Sequence, residues 1–181
     1  VYPACEIVKP GTIKHLAGNR FSLGEPEGSE SDRLKFISDI LKRAGFRAPI
    51  QKNIRDEIWL KLIGNLSFNP ISALTGATLE QICNDQGTEA IVRAMMTEAK
   101  IIAEELGAKI NMSIEKRIDG ARKVGAHKTS MLQDIEAGKP IEIDSIIIAV
   151  KELGELTCSP TPYIDTILNL TLQKAKLIGC L

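Results

Sequence analysis

Apolar and polar positions follow two different rhythms along this chain. Up to residue 25 the apolar residues come in short runs, VYPACEIVKPG, TIKHLAG and NRFSLGE, broken at Pro10-Gly11 and Gly18-Asn19. Such pairs signal turns, so short strands in hairpin succession are predicted. A loop, EPEGSE, spans residues 25–30. Ser31 or Ser29 then caps a helix running toward Gly45, with Leu34, Ile37, Ile40 and Leu41 on one face. Residues 46–51 form a plausible further strand. The order β-β-β-α-β is the tail end of an α/β layer.

From Asp56 onward the period is helical. A helix is predicted from Asp56 to Asn69, where Pro70 ends or kinks it, with a short piece after it over residues 71–74. Thr78 caps a turn through Ile82. Asp85 or Thr88 opens a long helix to Leu106, with Ile91, Met95, Ile102 and Leu106 as its core stripe and Gly107 at its end. Ser113 caps residues 114–124, whose Glu115, Lys116 and Arg117 read as a solvated face. Ser130 caps residues 131–137, and Asp144 caps an apolar helix through Leu156. Pro160 and Pro162 open the last helix, to Ile178, with Ile164, Ile167, Leu168 and Leu172 inside.

One helix breaks its own pattern. WLKLIGNLSFNP, residues 59–70, is mostly apolar yet carries Lys61, Asn65 and Asn69 at steps of four. Each step of four returns to nearly the same side, so the three form one slanting stripe with ~12 Å between its end Cα atoms. Either the stripe faces water, or it lines a polar cleft. Facing water would leave two poor helix formers with no purpose. Burial without partners would cost kcal/mol for each group. Gly64, costly inside a helix, favours close approach of another backbone or a ligand.

Composition narrows the class. The 181 residues suit one domain or slightly more, with 23 basic and 23 acidic side chains. A neutral balance gives no reason to expect nucleic acid or an anionic membrane surface as partner. The apolar runs are too short to span a bilayer. The chain opens on Val1 without a signal peptide, as a fragment or a processed chain would. Cys5, Cys83, Cys158 and Cys180 lie far apart and form no CxxC pair with a histidine partner. The expectation is no metal site and reduced, mostly buried thiols in a cytoplasmic protein. Aromatic residues make up 4%, while Ile, Leu and Ala dominate the second half, which favours a helical core.

Three further places hold candidate chemistry. Ser130, after His127-Lys128-Thr129, is either a plain N-cap or part of an anion site. Glu142, between apolar neighbours, is either an acid favoured by a helix dipole or a ligand. His127 is an isolated histidine of little weight. The sequence has no G-x-G-x-x-G, P-loop, G-x-S-x-G or H-E-x-x-H.

Together these pieces resemble a family. The pattern W-x-K-x-x-x-N-x-x-x-N-P (Trp59, Lys61, Asn65, Asn69, Pro70), then S-M-x-x-D (Ser130, Met131, Asp134), then E-I-D (Glu142, Ile143, Asp144) is similar to the C-terminal half of ketopantoate reductase, 2-dehydropantoate 2-reductase. Pro10-Gly11 and Leu23-Gly24-Glu25 extend the resemblance over essentially the whole chain.

The resemblance implies an enzyme that reduces ketopantoate with NADPH in pantothenate biosynthesis. It implies a mainly α fold: a helical domain like that of 6-phosphogluconate dehydrogenase, preceded by short strands left over from a Rossmann-type α/β domain. Residues 1–54 would belong to the nucleotide-binding domain, and 55–181 to a helical domain for substrate binding and dimerisation. Lys61 would be the general acid; Asn65, Asn69 and Ser130 would bind substrate. Glu142 would meet substrate hydroxyls and the cofactor near the nicotinamide ribose, and the chain near Cys5 would pass the nicotinamide. The partners would be a small 2-oxo acid and a second copy, in a homodimer. The family's glycine-rich phosphate loop and cofactor-side asparagine are absent from this sequence. Ala77-Thr78-Leu79 stands where some relatives place a further substrate asparagine. Reduction of another branched 2-oxo acid, or a purely associative helical domain, are the competing readings.

Overall fold

The structure is a computed structural model and describes residues 3–181; the first two residues of the expected opening strand lie outside them. About 62% of the chain is helical, which fixes the class as mainly α. The chain divides into two compact units, Val1–Ile58 and Trp59–Leu181, with the division falling inside one helix.

In the first unit, strands β1 (Ala4–Lys9) and β2 (Thr12–Ala17) pair antiparallel. Pro10 fixes φ at the turn, and Gly11 takes φ +77°, which L side chains rarely adopt. The expected third and fourth strands form only as short bridges. Arg20 pairs with Arg47 and Leu23 with Ile50, both parallel, with Leu23 N–H donating to the Pro49 carbonyl at 3.0 Å. Helix α1 (Asp32–Arg43) makes the crossover between them. Ser31 caps it, accepting from Leu34 N–H at 3.2 Å. Leu34 is buried, but Ile37 and Ile40 of its expected inner face are exposed. Buried Glu25 braces the cap: Ser31 Oγ and the Arg33 guanidinium both donate to its carboxylate. Those bonds, Arg33's foremost, hold its carboxyl down at about 2, against an ordinary 4.5.

Helix α2 runs from Ile54 to Thr75, with Pro70 inside it. Of the two expected outcomes, an end or a kink, the helix does not end there. Proline forfeits one backbone bond, but Ile71 and Ala73 beyond it are buried at 2% and 0% exposure. Burying an apolar side chain contributes ~1.5–3 kcal/mol for residues of isoleucine size, enough to offset most of the ~3 kcal/mol that an interior proline costs.

Around α2 the second unit assembles α3 (Leu79–Asn84), α4 (Gln86–Glu105), α5 (Ile114–Val124), α6 (Ser130–Glu136), α7 (Ala149–Leu156) and α8 (Pro162–Ile178). Thr78, Asp85 and Ser113 cap α3, α4 and α5 as the sequence suggests. Met95, Met96, Ile102, Val150 and Ile164 are fully buried in one cluster. Leu106, expected in that core, lies at the fraying end of α4 and is 40% exposed. Asp144 caps nothing: residues Asp144–Ile148 form a π-helical turn that feeds α7, with Ala149 N–H reaching the Asp144 carbonyl. Of the four cysteines, Cys83 and Cys180 are buried, while Cys5 and Cys158 are exposed. Among the described residues, no helix is long and apolar enough to cross a membrane.

Candidate functional site

The polar side chains of α2 fall into two groups. Ser67 donates to the Ile63 carbonyl at 2.9 Å, Thr75 to Ile71 at 2.7 Å and Ser72 to Ala77 at 2.6 Å. These hydroxyls are absorbed by nearby backbone. Lys61, Asn65 and Asn69 are not: none of them makes a side-chain hydrogen bond or ion pair among the described residues. Lys61 and Asn65 are half-buried, and Asn69 is only 5% exposed. The stripe therefore does not simply face water.

Asn69 is the sharpest of the three. Its Nδ2 is buried and has no hydrogen-bond partner among the described residues. A buried donor left unpaired costs ~1–3 kcal/mol, so native structures rarely keep one without a reason. The other stripe groups climb the same side of the helix at one-turn intervals toward Lys61. An ammonium and two amides in line can hold a small molecule that carries carbonyl and carboxylate oxygens.

Gly64 shows what presses on the flank of this stripe. A Cβ there would meet the guanidinium of Arg117, lying 2.7 Å from its Cζ and Nε. Arg117 is thus not on a solvated face: it is half-buried and packs against α2.

Ser130 is the first residue of α6, not its cap. Thr129 takes that role, accepting from Leu132 N–H at 3.3 Å. The Ser130 hydroxyl is left exposed and uncommitted. Glu142 is also exposed, between buried Ile141 and Ile143. No hydrogen bond or ion pair joins any two of Lys61, Asn65, Asn69, Ser130 and Glu142. The segments that carry them are nonetheless tied to the Asn69 end of α2. The Lys174 ammonium of α8 donates to the Ala73 and Leu74 carbonyls at 2.5 and 3.0 Å. Just beyond that same C-terminal end of α8, Ile141 N–H donates to the Cys180 carbonyl at 3.0 Å, one residue before Glu142. On the other side, α3 follows directly from α2, and its Leu79 N–H donates to the His127 carbonyl at 3.0 Å, three residues before Ser130. His127 thus contributes its backbone there.

Cys5 is exposed on β1, opposite His15 in the ladder. Among the described residues, no cluster of three or more His, Cys, Asp or Glu side chains could hold a metal ion. An open hollow of about 540 Å³ lies elsewhere, between α4 and the start of α8, lined by residues such as Ala90, Ala94 and Tyr163. None of the five candidate residues borders it. Its charged lining residues already have partners, Arg93 and Arg122 for Glu89, Glu115 for Arg93 and the first N–H groups of α8 for Glu98, whereas the α2 stripe has an unpaired buried donor, so the stripe is the better site.

Two residues escaped the sequence reading, Arg117 and Thr129. Gly64 was the available signal for the first. For the second, two adjacent hydroxyl residues were equally good caps.

Comparison with known proteins identifies the family. The family "Ketopantoate reductase PanE/ApbA C terminal" matches residues 53–175. A 2-dehydropantoate 2-reductase of Mesorhizobium japonicum is 53% identical over 180 residues, covering 99% of this chain and 55% of that protein. A Ralstonia solanacearum structure assigned as a ketopantoate reductase superposes with TM-score 0.95 at 42% identity, covering 100% of this chain and 55% of the other. The 2-dehydropantoate 2-reductase of Methylococcus capsulatus gives TM-score 0.92 at 30% identity, covering 98% and 62%. The chain spans about half the length of the curated relatives it matches. With the family match covering most of its length, from before Lys61 to beyond Glu142, the chain belongs to the ketopantoate reductase family, as the C-terminal half of such a protein.

Proposed function

We propose that this chain is the substrate-side part of an NADPH-dependent reductase that converts 2-dehydropantoate to pantoate. The observation that carries the reading is the buried, unpartnered Asn69 amide in line with an uncommitted Asn65 and Lys61. That donor set suits a 2-oxo acid, whose ketone and carboxylate oxygens are acceptors.

The chemistry asked of these residues is modest and specific. When bound, the nicotinamide supplies the hydride. As hydride reaches the ketone carbon, negative charge grows on the ketone oxygen. The Lys61 ammonium stabilises that charge and then gives it a proton, recovering one from solvent afterwards. Asn65 and Asn69 fix the substrate by donating hydrogen bonds without adding charge. The spared Ser130 hydroxyl donates to the substrate carboxylate. Glu142, an exposed acceptor, accepts hydrogen bonds from the hydroxyls of substrate and nicotinamide ribose. The backbone near Cys5 passes the nicotinamide.

A second 2-oxo acid substrate is the alternative that one observation favours. Thr78, in the segment where some relatives hold a substrate asparagine, is used up in a capping box with Gln81. Steady-state reduction of ketopantoate and of other branched 2-oxo acids by the complete polypeptide, with NADPH and with NADH, separates these readings. The proposal expects the highest kcat/KM for ketopantoate with NADPH. A higher value for another 2-oxo acid would reassign the substrate, and no turnover of any 2-oxo acid would end the proposal.

We also propose a homodimer. Tyr163, Leu170 and Leu177 lie seven residues apart down α8 and are 49%, 52% and 77% exposed. Apolar side chains at that spacing form one seam on a helix, and an exposed seam suits a second copy.

A further inference from the structure

Asn69 stands at a weak point of α2. A proline disfavours the helical conformation in the residue before it, and Pro70 follows Asn69 directly. Pro70 also has no N–H to give the Leu66 carbonyl one turn back. The helix continues beyond this gap to Thr75. In the helical ladder the Ala73 N–H serves the Asn69 carbonyl. The direction of the Asn69 amide thus depends on how the last turn of α2 is held.

That turn is held from another helix. A helix leaves its final four carbonyls without a partner in its own ladder, and α2 has no basic residue in its last turn. Gly76 N–H reaches back to the Ser72 carbonyl at 2.8 Å. The next two carbonyls, Ala73 and Leu74, accept from the Lys174 ammonium of α8 at 2.5 and 3.0 Å. A cation there also complements the negative end of the helix dipole. The hydroxyls of Ser72 and Thr75 bond only within a few residues of themselves, to the Ala77 and Ile71 carbonyls, whereas Lys174 fastens the turn to a separate element. Its own place is fixed, since the adjacent Ala175 is fully buried.

We infer that Lys174 is a positioning residue for the substrate site: by pinning the Ala73 and Leu74 carbonyls to α8, it holds the turn beyond Pro70 and, with it, the Asn69 amide. The inference rests on the reading of Asn69 as a substrate-binding residue. Lys174 acts through Asn69 and not on the reacting atoms. Its loss lets the turn shift, so the amide meets the substrate poorly. Binding then weakens more than the chemical step, which belongs to Lys61, two turns upstream of the proline.

The test is a double-mutant cycle on the complete polypeptide, read by steady-state kinetics with ketopantoate and NADPH and by thermal melting. Lys174→Met is expected to raise KM ~10-fold while changing kcat less than ~2-fold, as a small misplacement of one substrate contact does. Lys174→Arg, which keeps the charge and the reach, should restore most of the loss. In an Asn69→Leu background, Lys174→Met should lower kcat/KM by less than ~2-fold further, because the contact it positions is already gone. Its effect on Tm should be the same in both backgrounds. Should Lys174→Met fail to fold, Lys174→Gln, which keeps a donor for one carbonyl, takes its place in the cycle with a smaller loss of the same kind. An unchanged kcat/KM in the Lys174 variant, or an equal loss with and without the Asn69 amide, would overturn the positioning role. A folded Asn69→Leu protein with full activity, or an unaltered protein that reduces no 2-oxo acid, would instead overturn the function proposed above, and this inference with it.

Discussion

The Glu98 carboxylate of α4 accepts the backbone N–H of Ile164 at 3.0 Å, inside the first turn of α8. Its other oxygen accepts Tyr163 N–H at 2.9 Å. Thr161, at the N-cap position, gives no side-chain cap, so a residue from another helix satisfies the donors that a helix start leaves open. Glu98 is itself buried, at 8% exposure. Replacing it by alanine leaves one buried and one part-buried N–H group without this partner, and should cost ~1–3 kcal/mol. For a chain of this size that is a fall in Tm of roughly 2–12 °C. Glu98→Gln, which keeps one acceptor, should lose less. Thermal unfolding followed by circular dichroism checks both. An unchanged Tm for Glu98→Ala would remove this contact from the account of stability.

Asn69 should behave in the opposite way. Its unpaired amide costs stability in the free protein, so Asn69→Leu should leave Tm unchanged or raise it, by up to ~1 kcal/mol of stability. The same change should lower kcat/KM for the 2-oxo acid by at least ~10-fold, as loss of a substrate hydrogen bond does. Paired melting and kinetic measurements on one protein preparation decide it. A variant that loses stability and keeps activity would make Asn69 an ordinary structural amide.

Acid should loosen the start of α1. Glu25 is held down at about 2 by Arg33 and Ser31 in the folded chain, against 4.5 ordinarily. A carboxyl depressed in the folded state contributes stability that is present above the unfolded value and lost as pH falls through the folded one. The contribution should therefore be complete above about pH 4.5 and fade between 4.5 and 2. Arg33→Met should flatten that part of the stability–pH curve. Denaturant unfolding at several acid pH values reads it out, and an identical slope in the variant would rule the pair out as its source.

The legible part of this molecule was the part written in local periods. Lys61, Asn65 and Asn69 advertise one helix side because a step of four nearly closes a turn. Thr78 and Ser113 each stand alone before an apolar period and are caps in the structure, and of Asp85 and Thr88 it is Asp85 that caps α4. Thr129 and Ser130 defeat that logic, since two neighbouring hydroxyls offer the same chemistry and only the backbone chooses between them. The π-helical turn at Asp144 rests on a shift of backbone bonding that no side chain announces. Pro70 reads as an end or a kink because its local cost is visible while the burial of Ile71 and Ala73 is not. Arg117 looks like one more charge on a polar face until Gly64, far off in sequence, is found beneath it. The burial that orphans the Asn69 amide is likewise set by tertiary packing.

The outer seam of α8 should govern assembly. Leu170→Glu with Leu177→Glu places charges at two exposed positions, which should cost little folding stability, since surface changes usually stay within ~0.5 kcal/mol. Light scattering after size exclusion should show a dimer for the unaltered protein and a monomer for the variant. A dimer that survives both charges would place its interface elsewhere.

Lys61 is the residue on which the whole account turns. It is half-buried, without an ion-pair partner among the described residues, at the head of the stripe that ends in the orphaned Asn69 amide. If its ammonium stabilises and protonates the new alkoxide, Lys61→Ala in the complete polypeptide should lower kcat for ketopantoate by ~100-fold or more, with Tm little changed. The direct measurement is kcat/KM of that variant beside the unaltered enzyme. A large loss in a folded protein is the predicted result, and an unchanged kcat/KM would contradict the account.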